Sequence, residues 1–360
     1  MLKTHYHFDY FGRIKLMGKL ITFCVPCFNS EDYMRKCIES ILLGGDQIEI
    51  IIVDDGSTDS TAEIADEYEN MYPDVVRVIH QSNKGHGGAL NAGIAAATGL
   101  YYKVVDSDDY LEESALINLI AKVEENHKNN KDVDLYITNY VYDHTYSNTQ
   151  KVVSYDSVLV ESEAVTFDSL KKFKLSKVLM MHSLLYKTEV LINCGIKLPE
   201  HTFYVDNLYA YIPLPFVKSI YYLNVDLYFY FIGREDQSIN MKNFVKRYDQ
   251  QNRVMKIMFH SYTYKEIMKM DKNLRRYMFH DLSLININTM MFMISSKENK
   301  KVRKETYKNL QSEFKISDPK LYRKLRYRSY FTLISMYPWE IKRFSLLIGY
   351  KTVCKLAKVG

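Results

Sequence analysis

The chain predicts an α/β fold: a mostly parallel sheet with helices on both faces, followed by a helical C-terminal region. Three features of the sequence carry this. From Lys19 to Leu111 short β-branched runs alternate strictly with helical patterns, which requires βαβ units and right-handed crossovers. Ile48–Val53 is a nearly continuous apolar run, as expected of a parallel strand covered on both faces. After Asn240 glycine is almost absent, and Val254, Met255, Met258, Phe259 and Tyr262 fall on one helical face.

The elements follow in order. Leu20–Val25 reads as a strand. Glu31–Leu43 reads as a helix with Asn29 or Ser30 as cap and two apolar rows, Tyr33/Cys37/Ile41 and Met34/Ile38/Leu42. Then come strand Ile48–Val53, helix Thr61–Met71, strand Val75–His80, an Ala-rich helix Gly88–Ala97 stopped by Gly99, and strand Leu100–Val105. From about Asp132 the pattern becomes mixed, with strands such as Leu135–Val141 and Tyr221–Ile232, punctuated by Pro199, Pro213 and Pro215. Four units are expected: an N-terminal extension (1–17), a first sheet half (18–125), a second half (126–240) and a basic helical region (241–360).

Composition sets the class. The chain has 360 residues, 47% hydrophobic and 25% charged, the profile of an ordinary globular protein. Its five cysteines show no framework spacing, which favours a reducing compartment, and the reading is a cytoplasmic protein. Charge is uneven. Lys320–Lys358 holds ten basic residues against one acid, Glu340, so the rest of the chain is net negative. A basic tail of this kind suits an anionic partner or is a solvated basic face. No nucleic-acid recognition motif accompanies it.

Ligands of open parallel sheets bind beyond the carboxyl ends of the strands, and four polar clusters fall there. The first is Pro26-Cys27-Phe28-Asn29. The second is Asp54-Asp55-Gly56-Ser57-Thr58-Asp59, whose carboxylates could accept hydrogen bonds from a base and ribose or simply form a capped turn. The third is Asn83-Lys84-Gly85-His86-Gly87-Gly88-Ala89-Leu90-Asn91, glycine-rich at a helix start, where backbone could approach a phosphate. It is neither a dinucleotide fingerprint nor a P-loop. The fourth is Asp106-Ser107-Asp108-Asp109, hard oxygen ligands that suit Mg²⁺ or Mn²⁺ at a diphosphate or form a solvated acidic loop. Cys24-Val25-Pro26-Cys27 has redox spacing, but Cys24 falls inside the apolar strand. His86, His182 and His260 lack zinc spacing.

The runs ITFCVPCFNSEDYMRKCIESIL, EIIIVDDGSTDST and NKGHGGALNAGIAAATGLYYKVVDSDDYL resemble the family 2 glycosyltransferases with the GT-A, Rossmann-like fold. The resemblance spans Ile21–Leu111 and implies inverting transfer from a nucleotide-diphosphate sugar, most often a UDP-sugar, with a divalent metal (Mn²⁺ or Mg²⁺). It implies that Pro26 and Asn29 line the nucleoside pocket, that Asp54 and Asp55 contact base and ribose, and that Asn83 and Lys84 lie near nucleoside and phosphates. Asp106 and Asp108 match the DxD motif, with Asp106 toward sugar or ribose and both assigned to the metal. The general base of such families is the Asp of a downstream Glu-Asp pair, which places it at Asp206, with Val205 in the Glu position and Glu200 as fallback. Arg234 and Ser238 resemble a loop that closes over the diphosphate. Leu90 stands where many members have Arg.

The acceptor expected is a hydroxyl on a glycan, lipid-linked or polyanionic surface polymer, such as a surface polysaccharide, a teichoic-acid-like chain or a glycolipid. The tail, with Tyr327, Tyr330, Phe331, Trp339 and Phe344 among its cations, could rest on an anionic membrane as a peripheral anchor or mediate a homo-oligomer. The rival reading is a non-catalytic nucleotide- or glycan-binding protein on the same scaffold; a nucleotidyltransferase ranks third, because it would need an N-terminal Gly-rich loop.

Overall fold

The computed structural model describes residues 18–144, 149–161, 163–174, 177–233, 247–296 and 298–327, and a two-stranded ribbon at His7–Phe8 and Ile14–Lys15. Arg234, Ser238 and most of the basic tail lie outside these residues.

Ten strands form one sheet. They are β1 (Ile21–Cys27), β2 (Ile48–Asp54), β3 (Val76–His80), β4 (Tyr101–Val104), β5 (Tyr110–Leu111), β6 (Leu135–His144), β7 (Thr149–Val153), β8 (Ala164–Val165), β9 (Leu184–Lys187) and β10 (Ile220–Ile232). The order is β8-β10-β6-β9-β4-β1-β2-β3, with β5 on β10 and β7 on β6. The block β3-β2-β1-β4 is parallel throughout. Strand β9 enters antiparallel to both β4 and β6, and β6 pairs parallel with β10. The change of pattern near Asp132 thus marks the passage from a parallel to a mixed sheet.

Every residue of β1 and β2 is buried, so both faces of the central sheet are covered and the strands read as continuous apolar runs. Pro26 is tolerated in β1 because pairing with β4 ends at Cys24↔Val104. The Cys24 carbonyl accepts from Val105 N, so strand alternation turns the Pro26 nitrogen to that same side, just past the last ladder bond.

Three helices follow the first three strands: α1 (Met34–Leu42), α2 (Thr61–Met71) and α3 (Gly85–Ala96). Helix α3 begins three residues before the sequence pattern suggests, taking in the glycines of the third cluster. Helix α4 (Glu113–Lys128) is N-capped by Glu112, whose carboxylate accepts from Ala115 N. Short α5 (Thr188–Asn193) and α6 (Asp206–Tyr211) sit in the second half. The helical region comprises α7 (Tyr248–Ser261), α8 (Tyr264–Lys269, opened by a Thr263/Glu266 capping box), α9 (Lys272–Ser295), α10 (Lys300–Ser317) and α11 (Pro319–Tyr327). One hydrophobic core runs unbroken from Ile21 of β1 to Leu325 of α11. None of the described helices is long and apolar enough to cross a membrane.

Candidate active site

The carboxyl ends of β1, β2 and β4 meet in one place, and short polar contacts lock their loops together. Asn29, held at a positive φ of 50°, accepts from Thr58 N at 2.9 Å through its side-chain Oδ1 and donates its own N–H to Ser57 Oγ at 3.0 Å. Ser30 N donates to Thr61 Oγ1 at 2.7 Å, and Ser30 Oγ lies 2.8 Å from Ser107 Oγ. The first, second and fourth clusters therefore form one rigid rim.

Asp54 and Asp55 are both buried at the end of β2, but each already has protein partners. Asp54 accepts from Ser57 N and lies 3.0 Å from His80 Nδ1, whose Nε2 reaches Asp66. Burial alone would raise the Asp54 carboxyl; the bonds from Ser57 and His80 outweigh it and hold it below its usual range. Asp55 accepts from Gln81 Nε2 at 2.6 Å and Lys84 N at 2.9 Å, which ties the third cluster to the second. Asn83 is exposed beside Gly56, which is left-handed at φ 73° and passes so close to Asn83 N that a Cβ would sit 2.8 Å from it.

The glycines of the third cluster have a use the sequence did not disclose. A Cβ on Gly87 would lie 2.4 Å from the Pro199 carbonyl oxygen, and one on Gly85 would lie 2.9 Å from the His201 backbone. Lys84 O accepts from His201 N at 2.7 Å, and Asn91 clasps Leu198 from both sides, donating to its carbonyl at 2.8 Å and accepting its N–H at 2.9 Å. The clearance is thus taken up by residues 198–201 of the chain itself. Leu90 is fully buried, so no cation is presented from that position.

This clasp delivers Asp206. It lies near enough to His86 and Asp106 for their charges to act on it: burial raises its carboxyl, His86 opposes and Asp106 adds, for a net rise. Val205 is fully buried in the core, and Glu200 is exposed. Phe203 N donates to Gln250 and Arg253 to Thr202, so α7 buttresses the segment from behind.

At the fourth cluster, His86 Nε2 lies 3.0 Å from Asp106 Oδ1. Burial lowers the His86 pKa, but Asp106, helped by Asp206 and Asp108, more than reverses this. Asp109 is buried, accepts from the Tyr228 hydroxyl and from Phe231 N at 2.9 Å, and is pushed well above the carboxylate range by burial and by Asp108 and Asp106. His182 stands across from them, its Nε2 3.9 Å from Asp106 Oδ2. Neither ring nitrogen makes a hydrogen bond among the described residues, and burial lowers its pKa to about 4. Tyr228 and Tyr230 pack on its ring at 4.8 and 4.7 Å between centroids. One ligand atom each from Asp106, Asp109 and His182 lies within 4.8 Å of the others. That arrangement, with a neutral imidazole free to donate a lone pair, fits a divalent cation.

Two histidines without metal spacing thus converge on Asp106, one from α3 and one from the turn before β9. Beneath them Lys103 of β4 is fully buried, donates to the carbonyls of His182 (2.6 Å) and Leu184 (3.4 Å), and is lowered to about 7 by burial. The thiols of Cys24 and Cys27 are buried and pushed up, Cys24 to about 12, so they are not thiolates and the redox spacing is incidental.

Residues 22–192 match the family model described as glycosyl transferase family 2. They form a family 2 glycosyltransferase domain. Glycosyltransferase GlyG of Streptococcus pneumoniae serotype 4 is 42% identical over 152 residues, covering 41% of this chain and 48% of its own. Putative glycosyltransferase EpsH of Bacillus subtilis (strain 168) is 29% identical over 237 residues, 64% of each chain. This chain therefore spans about half to two thirds of the length of these relatives. The crystal structure of S. aureus TarS 1–349 in complex with UDP-GlcNAc shares the fold, with a TM-score of 0.54 at 20% identity over 86% of this chain and 91% of that one. Such glycosyltransferase neighbours place the sheet and its helices in the GT-A class.

Proposed function

We propose that this protein transfers a sugar with inversion, from a UDP-sugar to a hydroxyl of a cell-surface polymer, with the help of a divalent cation. The observation that carries the reading is the meeting of the Asp54/Asp55 loop, the Lys84 loop, Asp106–Asp109 and Asp206 at one end of the parallel sheet. Its context supports it: TarS was crystallised with UDP-GlcNAc, and relatives include a minor teichoic acid biosynthesis protein and a poly(ribitol-phosphate) beta-glucosyltransferase.

In this scheme Asp54 and Asp55 bind the base and ribose through their remaining lone pairs, with Pro26, Asn29 and Asn83 around the nucleoside and Lys84 toward the diphosphate. Arg234 and Ser238 are proposed to cover it. Asp106 and Asp108, with His182 and Asp109 as further donors, would hold the cation. When bound, such a cation neutralises the leaving diphosphate. His86 keeps Asp106 ionised by facing it with positive charge. Asp206 accepts the proton of the acceptor hydroxyl as that oxygen attacks the anomeric carbon; its raised pKa makes it a better base than an exposed carboxylate. Glu200, exposed to solvent, serves this role less well.

The test is turnover of a UDP-sugar panel with Mn²⁺ or chelator, on wild type, Asp206→Asn and Asp106→Ala. Asp206→Asn should keep nucleotide binding and lose about 10²–10⁴ in kcat. Asp106→Ala should abolish the response to Mn²⁺. Full activity of Asp206→Asn would refute the base assignment, and binding of every donor without turnover would favour a non-catalytic binding protein.

A further inference from the structure

Away from the transfer site, a cavity of about 880 Å³ opens between residues 170–173, α8, α9 and α11. Its volume falls in the range of small-molecule sites, and it shares no residue with the nucleotide end of the sheet. Six cations line it, Lys171, Lys172, Lys272, Arg275, Arg276 and Lys324, and no carboxylate does. Among the described residues none of the six is ion-paired. Asp271, the cap of α9, accepts from Asn273 N and Leu274 N and is close enough to Arg275 for their charges to interact without forming an ion pair. Like charges gathered around one cavity repel one another unless an anion joins them.

The rest of the lining is aromatic. Phe173 packs on the buried Tyr277 at 4.7 Å between centroids, and Lys324 Nζ lies 5.1 Å from the Phe279 ring. Tyr277 is anchored by its hydroxyl oxygen, which accepts from Leu179 N at 2.9 Å, so the wall is preformed. Arg276 is aimed by its bond to the Leu170 carbonyl, and Arg275 by its bond to that of Met268. The six cations come from three separate chain segments, and their charge exceeds the roughly −2 that a single phosphate carries. The cavity is also concave, so a planar bilayer would touch only its rim. The tail beyond Tyr327 carries six basic residues and one acid and cannot neutralise it.

We propose that this cavity binds a soluble phosphorylated saccharide or polyol with two or more phosphates, the guanidinium groups and lysines taking the phosphates and the aromatic wall taking the carbon skeleton. The inference stands apart from the transfer reading, because its readout is binding without any sugar donor. The test is calorimetric titration of the full chain with myo-inositol hexakisphosphate, alongside vesicles of phosphatidylglycerol in phosphatidylcholine. Lys171→Gln/Lys272→Gln removes two exposed cations with no packing role, and Lys301→Gln/Lys304→Gln makes the same charge change on α10. The expected result is one site per chain, weakened about tenfold or more by the cavity pair and less than twofold by the α10 pair, with equal melting temperatures. Equal weakening by both pairs, no binding, or binding to vesicles alone would overturn it.

Discussion

Gly87→Ala tests how the transfer site is assembled. The added Cβ would stand 2.4 Å from the Pro199 carbonyl oxygen, about 1 Å inside ordinary van der Waals contact. Two effects on stability oppose each other. Alanine favours the helix by ~0.8–1 kcal/mol over glycine, and an overpacked contact costs ~1–3 kcal/mol, so the net loss is about 0–2 kcal/mol and the protein folds. The effect on catalysis is not offset in this way. To relieve the clash, residues 198–201 must lift from α3, and they carry the chain to Asp206. A displacement of about 1 Å at a reacting group costs on the order of 10² in rate. The expected outcome is a kcat lower by about 10²-fold, nearly unchanged KM for the nucleotide-sugar, and a melting temperature within a few degrees of wild type. Asn91→Ala, which removes both bonds to Leu198, should lower kcat in the same way. Because both changes free one segment, the double variant should lose less than the sum. A Gly87→Ala enzyme of wild-type kcat would sink the idea that the glycines exist to seat this segment.

Other expectations follow from single residues. His86→Ala and His182→Ala should each weaken activating Mn²⁺ by about 10–100-fold, as loss of a metal-orienting or metal-binding histidine does, read from the Mn²⁺ dependence of turnover; unchanged Mn²⁺ response in both would remove the histidines from the site. Asp281, buried on α9, is raised to about 7 by burial with a contribution from Asp206. Its stabilising contribution is complete below about pH 4 and is lost as pH rises through 7, so wild type should be less stable at pH 8 than at pH 5 by up to about 2.7 kcal/mol from this group. Asp281→Asn should flatten that slope in urea titrations, and an unaltered slope would mean that the carboxyl is solvated. Lys103→Met should destabilise by about 1–3 kcal/mol, since the carbonyls of His182 and Leu184 lose their buried donor; a variant as stable as wild type in urea would show that water replaces the ammonium.

Sequence by itself determined the parallel half of the sheet and the loops where chemistry sits. Both are local matters: Ile48–Val53 can be a strand buried on two faces only if it is apolar throughout, and polar residues bunch where such strands end. Helix Thr61–Met71 was legible to the residue for the same reason. What tertiary structure alone decided is which of those loops touch and what each residue is for. The glycines of Gly85–Gly88 look like a phosphate cradle in one dimension, yet the clearance at Gly85 and Gly87 is filled by a segment more than a hundred residues away. Tyr228, Tyr230 and His182 carry no motif, and they reach Asp106 only because β9 turns antiparallel and β10 follows β6 across the sheet. The basic cavity is likewise assembled from residues 170–173, α9 and α11, each an unremarkable charged surface in sequence. Spacing along a chain reports local geometry; contacts between distant segments are set by how the whole core closes, and the function of a side chain is settled by those contacts.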